Sequence, residues 1–233
     1  MSPPVAATTP LLRRYTAWSL DAAAIGVLVV ALMHRRLCEA LETCMRAIDA
    51  LAQAMAALMQ QTLDLAASPA ALWQAWMADP ALQVAITALA LAITSLTLPT
   101  MAVFALLALV WFTAFEGSRW QATPGKRLLG LQVVDDDGLP PGYVRAGLRT
   151  AAGLLSWVSL NIGHLMAARA PRYQALHDRI AGTHVVRRTD VPMPMPARLW
   201  LVLQPPVFFL LLALVMHRID QSVAAALDAT LGF

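Results

Sequence analysis

Charge is scarce in this chain. Asp, Glu, Lys and Arg make up 13% of its 233 residues, about half the roughly 25% usual in soluble domains. The net charge of +3 is small and scattered, which excludes an electrostatic footprint for nucleic acid. Of the 17 basic residues all but Lys126 are arginine, a pattern that suits membrane borders. Cysteine is nearly absent. Cys38 and Cys44 lie six apart on different faces of one predicted helix, so an intrahelical disulfide is disfavoured. They leave the redox compartment open. Two cysteines and five scattered histidines supply no nucleophile–base signature. His177 and His184 have no neighbouring Cys or second pair for zinc. Met193 and Met195 are read as incidental sulfurs in a linker rather than a soft-metal site. No cofactor, metal or enzymatic chemistry is expected.

Two motif look-alikes also fail. Thr123-Pro124-Gly125-Lys126 contains a Gly-Lys pair but lacks the upstream glycine and the following Ser/Thr of a P-loop. It reads as a tight turn aiming Lys126 at phosphates of the lipid surface. Asp135-Asp136-Asp137-Gly138 is not a calcium loop, because position 12 is Ala146 where a Glu is required. It reads as a solvated turn.

Apolar sequence is plentiful. Hydrophobic residues reach 59%, and the long runs override a soluble-domain reading. The predicted class is an all-α polytopic membrane protein. It has three transmembrane helices, one further re-entrant or fourth membrane helix, and a small cytoplasmic β-ribbon. Residues 1–14 form a cytoplasmic N-terminus. The first span, 15–33, contains a single charge, Asp21. A carboxylate at membrane depth costs roughly 2.5–3.5 kcal/mol on insertion scales, so it faces a partner or water. Arg14 is seven residues earlier, on nearly the same stripe and about 10 Å along the axis. Arg13-Arg14 before an apolar run resembles an export signal superficially. Asp21 and the lack of a small-x-small site favour a retained signal anchor. Arg35-Arg36-Leu37 ahead of Cys38 does not resemble a lipoprotein cleavage site.

The second span lies in 81–116 and the third in 199–217. Arginines at the N-terminus, in 117–149 and in 169–198 place all three regions in the cytoplasm by the positive-inside rule. That allows one crossing in 81–116, tilted or kinked at Pro99. It makes 150–168, softened by Gly, Ser, Asn and His, return to the side it left, the alternative being a true fourth span. Segment 117–188 is the cytoplasmic loop that carries this embedded piece, and Leu131 to Val134 and Thr183 to Val186 are two β-like runs in it that can pair. Residues 189–198 form a Pro-rich linker and 218–233 a tail outside.

Residues 34–80 form an external helical insert. Leu37, Leu41, Cys44, Ile48, Leu51, Met55, Leu58, Thr62 and Leu65 follow a 4-3-4-3 spacing, a heptad seam. Its partner is residues 69–79, bearing Trp73 and Trp76, or another chain through 34–66. An Ala-rich helical hairpin with no partner is favoured slightly over both.

His177-Asp178 holds the remaining signal. An adjacent carboxylate can tune an imidazole toward proton exchange. The competing reading is a structural joint in which Asp178 caps a helix or pairs with an arginine. Three motifs in order now resemble the RDD family of integral membrane proteins, named for one arginine and two aspartates. They are Arg14-x6-Asp21, then Thr123-Pro124-Gly125-Lys126 with Leu128, Gly130 and Leu131, then His177-Asp178-x2-Ala181-x-Thr183. The resemblance assigns the arginine to Arg14 and the aspartates to Asp21 and Asp178. It covers about 15–33 and 81–188, not the insert or the last span. It implies a transport role with no defined substrate; the leading expectation is a multi-pass protein of the bacterial inner membrane that moves a small solute or ion, sodium–proton exchange being the most concrete version. Asp21 would be the titrating carboxylate, its potential set by Arg14, and Asp178 a second acidic site. Three spans would require a homo-oligomer. The alternative is a membrane scaffold or assembly factor in which Arg14, Asp21 and Asp178 form a buried polar joint.

Overall fold

A computed structural model of the chain describes residues 11–63, 68–158, 166–168, 174–188 and 192–231. It is mainly helical. In chain order it contains α1 (Leu11–Leu63), α2 (Pro69–Ala78), α3 (Pro80–Gly117), α4 (Pro124–Leu128), β1 (Leu131–Asp135), α5 (Gly142–Val158), a 3-10 turn (Met166–Ala168), α6 (Leu176–Ala181), β2 (Thr183–Arg187) and α7 (Met195–Leu231). Among the described residues α1, α3 and α7 are long and apolar enough to cross a membrane.

Local chemistry sets several boundaries. Ser68 accepts the Ala71 N–H ahead of Pro69, and Asp79 accepts the Leu82 N–H ahead of Pro80. Both are N-caps followed by proline at the first helical position, where a missing N–H costs nothing. Helix α3 continues through Pro99. Around that point Ser95, Thr97 and Thr100 donate their hydroxyls back to carbonyls three or four residues earlier. Such bonding satisfies polar side chains where water is lacking.

The chain divides into two compact units. The first comprises Met1–Ala31 and Ala102–Gln204. The two β-like runs pair as an antiparallel ribbon from Leu131↔Arg187 to Asp135↔Thr183. Ala17 packs with Leu129, Leu131 and Ala197 as a small core, with Val185 and Met193 against it. The acidic turn is ordered: Asp135 accepts the N–H groups of Asp137 and Leu139 and pairs with Arg145.

The second unit comprises Leu32–Met101 and Pro205–Phe233. Here the heptad seam is only part of the packing face: its Cys44 and Leu58 are buried, at 8% and 5% exposure. Cys44 and Ala47 meet Ala92 of α3, and Ala52 and Ala56 meet Ala226 of α7. Small side chains let helices approach closely. Leu41 and Met55, both on the seam, are 51% and 37% exposed. Thr62 and Leu65 lie outside the described side chains.

Three expected boundaries shift. The linker 189–198 is shorter, because residues 195–198 are the first turn of α7, which tolerates Pro196. The tail 218–233 is helical through Leu231. Arg218 anchors it by donating to both carboxylate oxygens of Asp49 at 3.0 Å and to Ser222 at 2.6 Å. The segment 150–168 begins inside α5, which starts at Gly142, and its residues 159–165 lie outside the described residues.

Candidate functional site: a buried charge cluster

The cluster lies wholly within the first unit, and the inward stripe of α1 starts it. Arg14, Ala17, Asp21 and Ile25 recur at helical spacing, and Asp21 is 1% exposed. Asp21 Oδ2 accepts the Thr123 hydroxyl at 2.5 Å. Its Oδ1 accepts the Gly125 N–H at 2.9 Å and lies 3.4 Å from the Trp111 indole nitrogen. Thr123 is also the N-cap of α4, accepting from the Lys126 N–H, with Pro124 next. The Thr-Pro-Gly-Lys motif is therefore a helix start held by the carboxylate of another helix. Gly125 is demanded by space. A Cβ there would collide with the Ala17 carbonyl oxygen and stand 2.8 Å from Asp21 Oδ2.

A second node is built on Asp178, which is fully buried. Asp178 Oδ2 accepts from Arg14 at 2.5 Å and from the Ala175 N–H at 3.0 Å, so it also caps α6. Its Oδ1 accepts from Arg149 Nε at 2.9 Å. Gly182, at φ +59°, ends α6 in the left-handed region that favours glycine. Arg149 extends the chain of charges by donating to Glu116 Oε2 at 2.5 Å. Glu116 Oε1 accepts from Lys126 Nζ. Lys126 also sits 5.1 Å from the centre of the Phe112 ring. The order Arg14, Asp178, Arg149, Glu116, Lys126 alternates in sign and ties α1, α6, α5, α3 and α4 together.

Electrostatics follow from burial. Desolvation pushes the Asp178 carboxyl up, but Arg149 and Arg14 outweigh it and hold it well below the usual carboxylate range. Burial pulls the Lys126 ammonium below the ordinary lysine value, partly offset by Glu116. His177 Nε2 lies 3.4 Å from Asp178 Oδ1 and 3.3 Å from an Arg149 nitrogen.

Arg14 and Asp21 share a stripe and serve different elements, with Arg14 reaching Asp178 and Asp21 held by hydroxyl and N–H groups. One expectation is corrected: Lys126 is not aimed outward at the lipid surface, its ammonium being buried and paired with Glu116. Glu116 and Arg149, absent from the predicted set, are central. Glu116 is the one charge that closes the apolar run of α3, a signal available in the sequence. In the sequence Arg149 is one of several arginines of 117–149 and carries no signal of its own beyond its charge. The cluster also borders a cavity of about 570 Å³ reached by Arg14, Lys126, Arg149 and His177. Among the described residues no group of three His, Cys, Asp or Glu side chains is placed to hold a metal.

Long apolar helices around a buried charge network define a membrane protein. The RDD family model matches residues 8–182, and the chain belongs to that family. It is 34% identical over 89 residues to a protein of Bacillus subtilis (strain 168) described as uncharacterized protein YxaI. The aligned stretch is 38% of this chain and 58% of that relative, so the chain spans little more than half of it. No solved structure matches.

Two outcomes test the cluster. Gly125→Ala should lower the melting temperature in detergent by several degrees, from an overpacking cost of about 1–3 kcal/mol. Gly153→Ala, where a Cβ meets nothing within 4 Å, should not lower it. The pH dependence has a definite sign. Asp178 has a folded pKa below its unfolded value of about 3.9, so its contribution is full above that value and is lost as pH falls below it. Melting curves between about pH 3 and 7 should show a shallower acid limb for Asp178→Asn than for the wild type.

Proposed function

We propose that this RDD-family protein is a non-transporting, non-enzymatic membrane scaffold or assembly factor whose charge cluster fixes how its helices meet. One observation carries the reading. Both oxygens of the three carboxylates in the cluster, Asp21, Glu116 and Asp178, are engaged by O–H or N–H donors. Carboxylates held in this way are suited to joining elements rather than to cycling a proton. The apolar seam residues left exposed on α1, within 34–66, offer a surface for a partner protein or a second copy. The bacterial inner membrane, with the arginine-rich regions in the cytoplasm, is part of the same proposal.

A second reading keeps support from the cavity beside Arg14 and Lys126. It is transport of a small solute or ion by a homo-oligomer, sodium–proton exchange being its most concrete form, with Asp21 titrating. Reconstituted vesicles separate the two. The scaffold account expects no pH-dependent sodium flux from wild-type protein above empty vesicles, and a lower folded yield for Asp21→Asn. Flux that Asp21→Asn abolishes, with insertion and folding intact, establishes the transport reading instead.

A further inference from the structure

The cavity sorts its walls by charge. Its polar lining is cationic or neutral: Arg14, Lys126, Arg149, His177 and Thr150. The acids that neutralise these cations, Glu116 and Asp178, do not line it and are fully buried behind them. An incoming group therefore meets donors first. Lys126 directs one of its three N–H groups to Glu116, which leaves others for a ligand. The remaining wall is hydrocarbon and aromatic, including Leu11, Trp18, Phe112 and Leu154.

Position selects among anions. Tyr15 and Trp18 line the cavity and are 44% and 37% exposed, at the start of the first apolar span beside Arg14. Tyr, Trp and Arg at a span border mark the headgroup level of a bilayer. A cationic end at that level, continued by an apolar wall, complements a molecule with an anionic head and a hydrocarbon tail. A small hydrophilic anion would leave the apolar wall unfilled. The volume falls within the ordinary range of ligand pockets, about 300–1,000 Å³.

From this we infer that the cavity binds an anionic phospholipid of the surrounding membrane. Its phosphate sits against Lys126, Arg149 and Arg14, and the first part of an acyl chain lies along Phe112 and Leu154. The inference holds whether the protein is a scaffold or a transporter.

Gly153 gives a clean test. It lines the cavity, and a Cβ there meets nothing within 4 Å. Gly153→Phe is therefore chosen to occupy the cavity from a wall residue that is not a member of the charge cluster. Full-length protein in a neutral detergent is titrated with phosphatidylglycerol, phosphatidylcholine or inorganic phosphate, and binding is read by native mass spectrometry and by melting temperature. Phosphatidylglycerol should bind about tenfold more tightly than phosphatidylcholine. Inorganic phosphate should not raise the melting temperature. Gly153→Phe should lose the phosphatidylglycerol preference while melting like the wild type without lipid. A Gly153→Phe protein that melts lower without lipid is replaced by Gly153→Leu under the same criteria. Equal binding of both lipids, a preference that survives filling of the cavity, or an equal effect of inorganic phosphate overturns the inference.

Discussion

A carboxylate removed from water must be surrounded by donors, and this requirement organises the first unit. Asp178 meets it with Arg14 from α1, Arg149 from α5 and the Ala175 N–H beside it. Arg149 in turn must satisfy Glu116, and Glu116 takes Lys126. Desolvating each ion costs several kcal/mol, and removing one partner of a buried pair typically costs about 3–5 kcal/mol. The charges therefore stabilise the fold as a set. No member can leave without stranding its neighbour.

Helix α1 distributes these obligations along one face. Arg13 donates to the Leu129 carbonyl at 3.0 Å, Arg14 to Asp178, and Asp21 receives the start of α4. On another side Ser19 accepts from Trp200 Nε1 at 3.0 Å and from Gln204 Nε2 at 3.2 Å, while the Tyr15 hydroxyl donates to Gln204 Oε1. The start of α7, beyond the stretch matched by the family model, is thereby tied to α1 by polar contacts. Donor and acceptor placement, rather than apolar burial alone, decides which helices are neighbours where lipid is as apolar as the side chains.

How much of this was legible differs by element. The apolar runs marked α1, α3 and α7, because length and composition are carried locally. The ribbon was legible too, because Leu131 to Val134 and Thr183 to Val186 are short β-like runs, the first closed by a turn signal. The three family motifs were visible as residues. Their partners were not. Arg14 pairs with a residue 164 positions away, which local spacing on its own stripe does not reveal. Lys126 read as facing the lipid surface because its acceptor, Glu116, sits at the end of another helix. The spacing of leucines on α1 suggested a coiled-coil seam; Cys44 and Leu58 of that seam are buried, but the contacts run largely through alanines, which such a pattern ignores. The C-terminal helix outran its apolar segment because Arg218 finds Asp49, a contact no local window contains.

Arg14 and Asp178 act as one unit across the fold. A double-mutant cycle with Arg14→Met, Asp178→Asn and the combined variant, followed by denaturant unfolding in detergent, tests it most directly. The coupling energy should exceed about 1.5 kcal/mol, since residues in one buried network depart from additivity by about 0.5–3 kcal/mol. Effects that add to within about 0.5 kcal/mol would contradict it.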